Sequence, residues 1–170
     1  MILSTVILAL VTAQRLGELA LSNRNTRRLL ARGAIEYGAA HYPLIVGLHA
    51  AWLAGLWFLA WDRPANLAWL VVFLGLQVLR VWVIASLGER WTTRIIVLPG
   101  APLVGRGPYR FLPHPNYVVV AGEMLVLPLV FGLTAYGLAF FLMNAAVLWV
   151  RIRAENVALG RTRAQSARGI

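Results

Sequence analysis

Most of this chain consists of five apolar stretches, each as long as a bilayer crossing or nearly so: residues 2–21, 42–61, 65–87, 117–131 and 135–150. A spanning helix needs about 20 apolar residues. Lipid offers no partner to a free backbone N–H or C=O, so a chain of this kind has to cross as helices. The pattern therefore predicts an all-α integral membrane protein with about five transmembrane helices. Composition agrees: 60% of residues are hydrophobic and 13% charged, against about 45–50% apolar and about 25% charged in soluble domains. The chain has no cysteine, which removes disulfide scaffolds, thiol catalysis, thiolate metal sites and cysteine-linked lipid anchors.

The net charge of +10 resembles that of a nucleic-acid binder until its placement is followed. All 16 basic residues are Arg, and thirteen fall in three clusters: Arg24, Arg27, Arg28, Arg32; Arg90, Arg94, Arg106, Arg110; and Arg151, Arg153, Arg161, Arg163, Arg168. Each cluster lies in a polar segment that follows an apolar stretch. Cytoplasmic loops of membrane proteins carry this excess, whereas no soluble basic face or nucleic-acid motif is present. The expected topology places the N-terminus outside, all three clusters and the C-terminus in the cytoplasm, and Asp62-Arg63-Pro64 on the far side. The first stretch does not read as a cleavable leader, because Arg15 and Glu18 interrupt it and no basic residue precedes it. The chain reads as a single domain, 1–170, with its chemistry concentrated in about 88–160. An Arg-only, Ala/Val/Leu-rich composition suggests a bacterial source and its plasma membrane.

Two polar segments stand out. Residues 22–40 are expected to form a loop, and so is the longer segment 88–116, which is interrupted repeatedly by Pro and Gly. A loop of about 30 residues in so small a protein points to function. It ends Gly107-Pro108-Tyr109-Arg110-Phe111-Leu112-Pro113-His114-Pro115-Asn116-Tyr117. Prolines on both sides of His114 stiffen the backbone, which suits either a ligand contact or a simple helix cap. After a tight return at Gly132-Leu133-Thr134, the last apolar stretch brings Asn144, Arg151 and Glu155 near one helical face; Arg151 and Glu155 alone read equally as an i,i+4 ion pair.

Polar and ionisable groups also fall inside the apolar stretches: Arg15 and Glu18, His49, Gln77 with Arg80, and Glu123. Charges in hydrocarbon face the protein interior or a watered cavity. Arg15 can pair with Glu18 locally, while Glu123 needs a cation from another helix, with Arg80 as the candidate. Three His residues without Cys make a poor zinc site, so no metal is expected. Walker, GxGxxG, G-x-S-x-G and HExxH patterns are absent.

Taken together, the run from Gly107 to Tyr117, the tight hairpin and Arg151-Ile152-Arg153-Ala154-Glu155 resemble the isoprenylcysteine carboxyl methyltransferase family, membrane enzymes that use S-adenosylmethionine (SAM). Gln14-Arg15-Leu16-Gly17-Glu18, His41-Tyr42-Pro43, Leu48-His49-Ala50 and Trp91-Thr92-Thr93-Arg94-Ile95-Ile96 further resemble a bacterial branch that accompanies type III polyketide synthases and O-methylates long-chain alkylpyrones. The resemblance implies that His114 and Tyr117 contact SAM and that Leu98, Gly107 and Tyr109 wrap the adenosine. It also implies that Glu155 faces the SAM amino group and Arg151 the acceptor; Asn144, on the same face, joins the cofactor side. Two positions depart from the family pattern: Pro113 stands where Arg is usual, and Asn156 where a second Glu is usual.

The expected activity is methyl transfer from SAM to a lipophilic acceptor embedded in membrane lipid, at the cytoplasmic face. An acidic enol would need only Arg151 to hold its anion, whereas a phenol would need a base, His114 or Glu123. Prenylcysteine carboxylate and phospholipid amine are the alternative acceptors, and a non-enzymatic membrane subunit is the alternative class.

Overall fold

The computed structural model describes residues 2–167, and side chains for residues 2–160. Arg168, and the side chains of Arg161 and Arg163, lie outside the described residues. Five α-helices account for most of the rest: α1 Ile2–Ala31, α2 Tyr42–Ala60, α3 Leu67–Leu87, α4 Pro115–Val130 and α5 Thr134–Ala167. Four are long and apolar enough to cross a membrane: α1, α2 with the turn leading into it, α3 and α5. The exception, α4, has 16 residues and so spans about 24 Å. The protein is an all-α membrane protein, as its apolar pattern predicts.

Contacts at the two ends of the bundle define its polarity. At one end Thr5 Oγ1 donates to the Trp61 carbonyl (3.1 Å) and Asn66 N to that of Val130 (2.7 Å). At the other, Asn25 Nδ2 donates to the Trp91 carbonyl and Ser22 Oγ meets Thr93 Oγ1, each at 2.8 Å. The second end, here the loop end, carries the first two arginine clusters and Arg151 and Arg153 of the third, while Arg63 sits in the turn at the opposite end.

Local chemistry explains the element boundaries. Asn66 caps α3 by accepting from the amides of Ala68 (3.0 Å) and Trp69 (3.3 Å). At the α4–α5 return, Gly132 takes φ 71°, and Leu133 N donates back to the Pro128 carbonyl at 2.9 Å. A left-handed turn of this kind strains any residue with a Cβ, which makes the return as tight as its sequence suggests.

Three boundaries differ from expectation. Residues 22–31 belong to α1 rather than to a loop, because neither Gly nor Pro occurs from Ser22 to Arg32 and buried Ser22, Asn25, Thr26 and Leu29 pack on the rest of the protein. Segment 88–116 is not wholly loop: strand β2 (Ile95–Val97) pairs antiparallel with strand β1 (Ile35–Tyr37), short 3-10 turns cover Gly88–Arg90 and Gly107–Arg110, and Pro115 and Asn116 open α4. Arg94 closes over the strand pair, 2.9 Å from Glu36 and 4.4 Å from the centre of the Tyr42 ring; the bond to Glu36 raises the guanidinium pKa further. Finally, the tail after Val150, expected to be helical at first and then frayed, stays helical to Ala167.

The main core joins Leu8, Trp52, Leu56, Phe73, Met124 and Leu127, with Trp52 Nε1 donating to the Met124 carbonyl at 3.2 Å. Beside it lies an interior charge cluster. Glu123, 1% exposed, accepts from Arg15 at 2.8 Å, Arg80 at 2.6 Å and Gln77 at 2.8 Å. Glu18 accepts from Arg15, Arg80 and Gln14, and Gln14 bonds Gln77 in turn. Two guanidiniums against two carboxylates leave the cluster neutral, which is how charges persist in a low-dielectric interior. Arg80 does pair with Glu123, and Arg15 with Glu18, as expected. Gln77 turns to Glu123 and Gln14 instead of its i,i+3 neighbour Arg80.

Candidate active site

Segment 88–116 folds over the loop end and is anchored by charge-assisted contacts. Arg90 donates to the Pro102 carbonyl, and Arg106 Nε donates to the Ser86 carbonyl at 2.9 Å. Gly107 has φ 60°, and a Cβ there would stand 2.1 Å from Ser86 Oγ. Glycine is thus required where the loop presses on α3. Gly107 shapes the loop from outside the cavity wall rather than lining it.

Beneath the loop lies a cavity of about 230 Å³ walled by Leu98, Tyr109, His114, Tyr117, Arg151 and Glu155, among others. The structure therefore brings together six of the residues singled out from sequence. His114 is the residue before α4, yet its side chain makes no cap bond. Its ring stacks on Tyr117 with centroids 5.4 Å apart, Nε2 lies 3.2 Å from Asn156 Oδ1, and Nδ1 lies 3.8 Å from Glu155. The geometry rules out the simple capping role.

Tyr117 is the hinge of the site. Its hydroxyl donates to Glu155 and accepts from Arg151 Nε at 2.8 Å, so Arg151 and Glu155 meet through a phenol rather than as a direct i,i+4 pair. Arg151 is 6% exposed; α4 covers the guanidinium that its helix would otherwise present at the surface. Tyr109, also on the wall, has its pKa raised by burial and then by the Glu155 charge. It remains a neutral phenol, able to donate, at any physiological pH.

A second cavity, of about 270 Å³, lies inside the bundle between α1, α2, α4 and α5. Its wall is mostly aliphatic and aromatic, including Leu16, Leu19, Ile45, Val46, Leu53, Val120 and Leu148, with Tyr42, His49, Arg15, Glu18 and Arg80 as polar members. Trp91, Thr92, Asn116, Tyr117 and Arg151 belong to both cavities. At this common wall Trp91 Nε1 and Asn116 Oδ1 are enclosed without a hydrogen-bond partner. A donor and an acceptor enclosed without partners carry a free-energy cost.

Two residues proposed from sequence lie elsewhere. Glu123 belongs to the interior charge cluster and lines neither cavity. Asn144 is 1% exposed, with both amide atoms enclosed and without partners, and it too is off both cavity walls. Sequence reasoning gave Trp91 and Asn116 no site role, and it expected a channel lined by the second to fifth spans, to which the structure adds α1. The polar residues inside the apolar stretches, His49 above all, were the available signal.

Comparison with known proteins follows the same line. The isoprenylcysteine carboxyl methyltransferase (ICMT) family matches residues 69–161, a span that includes α3, the loop and α4. An uncharacterized protein of Bacillus subtilis, YpbQ, is 39% identical over 158 residues, covering 90% of this chain and 94% of its own length. An uncharacterized protein of Haemophilus influenzae is 26% identical over 174 residues, covering 94% of this chain and 96% of its own length. No solved structure matches. The chain belongs to the isoprenylcysteine carboxyl methyltransferase family, whose members are SAM-dependent membrane methyltransferases.

Proposed function

We propose that the protein O-methylates a lipophilic acceptor, with SAM in the loop-side cavity and the acceptor in the bundle cavity. The single observation that carries this reading is the common wall formed by Trp91, Thr92, Asn116, Tyr117 and Arg151. A water-soluble charged cosubstrate and a lipid-soluble acceptor need separate entrances and one meeting place, and this geometry supplies both.

The donor set fits SAM. Glu155 offers a carboxylate to the amino group, and Tyr109 and His114 line the same space. SAM supplies an electrophilic methyl group. The protein's own part is positioning and exclusion of water, which is worth most when the reacting atoms are held in line. Tyr117 holds Arg151 from one side while the guanidinium faces the acceptor cavity, where it stabilises negative charge on the acceptor oxygen.

Arg151 favours an oxygen acceptor over a phospholipid amine. A long-chain alkylpyrone or related polyketide is the acceptor we favour, with a type III polyketide synthase as its source. The arginine clusters at the loop end support a site on the cytoplasmic face of a bacterial plasma membrane.

Calorimetry with S-adenosylhomocysteine on detergent-solubilised protein tests the first half of the reading. Saturable binding that His114→Ala weakens is expected; no binding by folded protein refutes it. A methyl-transfer screen beginning with alkylpyrones, and including prenylcysteine and phosphatidylethanolamine, tests the second.

A further inference from the structure

The two bases expected from sequence are both badly placed to serve the acceptor. Glu123 lines neither cavity, and His114 lines the loop-side cavity only. The bundle cavity has its own imidazole. His49, on α2, lies 2.9 Å through Nδ1 from the Ile45 carbonyl one turn earlier. A carbonyl oxygen only accepts, so Nδ1 carries the hydrogen, and the neutral ring has its lone pair on Nε2. Nε2 has no protein partner and is not among the enclosed polar atoms, while His49 belongs to the wall of the cavity that Arg151 and Tyr117 also line.

Every other titratable group on this wall or packed behind it is committed. Glu18 on α1 is held by Gln14, Arg15 and Arg80, and Glu123 on α4 by Arg15, Arg80 and Gln77. The guanidiniums of Arg15, Arg80 and Arg151 do not release protons in proteins. Tyr42 meets Thr93 at 3.0 Å, and Tyr117 bridges Arg151 and Glu155. Among the described residues lining the cavity, His49 Nε2 is the one basic lone pair left open.

We infer that His49 receives the hydroxyl proton of the acceptor, and that the acceptor is a lipophilic ring hydroxyl that arrives protonated rather than a carboxylate. The inference rests on the methyltransferase reading and deepens it. The acceptor O–H bond breaks toward Nε2, the oxygen forms its bond to the methyl group, and the S–CH3 bond breaks with its electron pair on sulfur. The imidazolium then passes its proton to water as the methylated product leaves. The anion-holding Arg151, on the same cavity wall, favours the oxyanion over the hydroxyl during that step.

The test uses a long-chain alkyl nitrophenol, whose phenolate absorbs at longer wavelength than the phenol. Bound to solubilised wild-type protein without SAM, at a pH below its solution pKa, it shows the phenolate band. His49→Gln binds it as the phenol, with unchanged affinity for S-adenosylhomocysteine as the check on fold. In turnover, His49→Gln loses about 10²–10⁴-fold on weakly acidic hydroxyls, and the loss shrinks to a few-fold for hydroxyls acidic enough to arrive ionised. An equal loss across acceptor acidity, an unchanged spectrum in the variant, or failure of the nitrophenol to bind overturns the assignment. So does a wild-type enzyme that methylates carboxylates but no hydroxyl, an outcome that leaves the methyltransferase reading intact. Absence of S-adenosylhomocysteine binding sinks that reading instead, while the spectral comparison still decides His49.

Discussion

Replacing Tyr117 with Phe removes one oxygen from the centre of the site and leaves the rest of the packing in place. The ring keeps its stack on His114, with centroids 5.4 Å apart, and its place on both cavity walls. What disappears is the hydroxyl that accepts from Arg151 Nε at 2.8 Å and donates to Glu155. Hydrogen bonds to charged groups contribute about 1.5–3 kcal/mol each. Part of that returns, because Arg151 and Glu155 sit one helical turn apart and can pair directly once the phenol is gone. A net loss of about 1.5–3 kcal/mol in transition-state stabilisation corresponds to a fall of roughly 10–150-fold in kcat/KM. The assay is methyl transfer to whichever lipophilic acceptor wild type accepts, alongside thermal unfolding of both proteins. Tm is expected to move by only a few degrees, since the apolar surface is unchanged. A Tyr117→Phe enzyme within twofold of wild type would show that the Arg151–Tyr117–Glu155 bridge does not orient the reaction.

Other perturbations separate the two cavities and the frame that holds them. Glu155→Gln removes the carboxylate offered to the SAM amino group and should weaken S-adenosylhomocysteine binding about 10-fold or more, read by calorimetry, with the unfolding temperature little changed. Gly107→Ala meets both a positive φ and a Cβ contact of 2.1 Å with Ser86 Oγ; it should weaken the same binding by displacing the loop, although Gly107 is off the cavity wall. Arg80→Met removes a guanidinium that is 5% exposed and pairs with Glu18 and Glu123. Breaking a buried network of this kind costs about 3–5 kcal/mol, so a drop of several degrees in Tm in detergent is expected. Arg151→Ala should lower kcat/KM by at least 10-fold while the protein still folds; an unchanged value removes the anion-holding role from that residue.

Much of the architecture was legible along the chain because its causes are local. Stretches of bilayer length, the Gly132 return and the alternation of arginine-rich with neutral segments each depend on neighbouring residues. They placed the helices and the polarity of the bundle correctly. The i,i+4 spacing likewise put Arg151 and Glu155 on one face, and the prolines around His114 marked the mouth of α4. Tertiary packing decided the rest. Arg15 meets Glu123 across 108 positions and Arg80 meets Glu18 across 62, so Glu123 became part of a neutral structural cluster rather than a free base. Pairing of Ile35–Tyr37 with Ile95–Val97 turned part of an expected loop into a strand, and a three-residue strand has too little periodicity to announce itself. Helical period reports which face a residue occupies, not which helix that face meets. Only the packing of α1, α2, α4 and α5 could show that an imidazole on α2 and a guanidinium on α5 open onto the same cavity, behind the wall where a soluble cosubstrate and a lipid-borne acceptor meet.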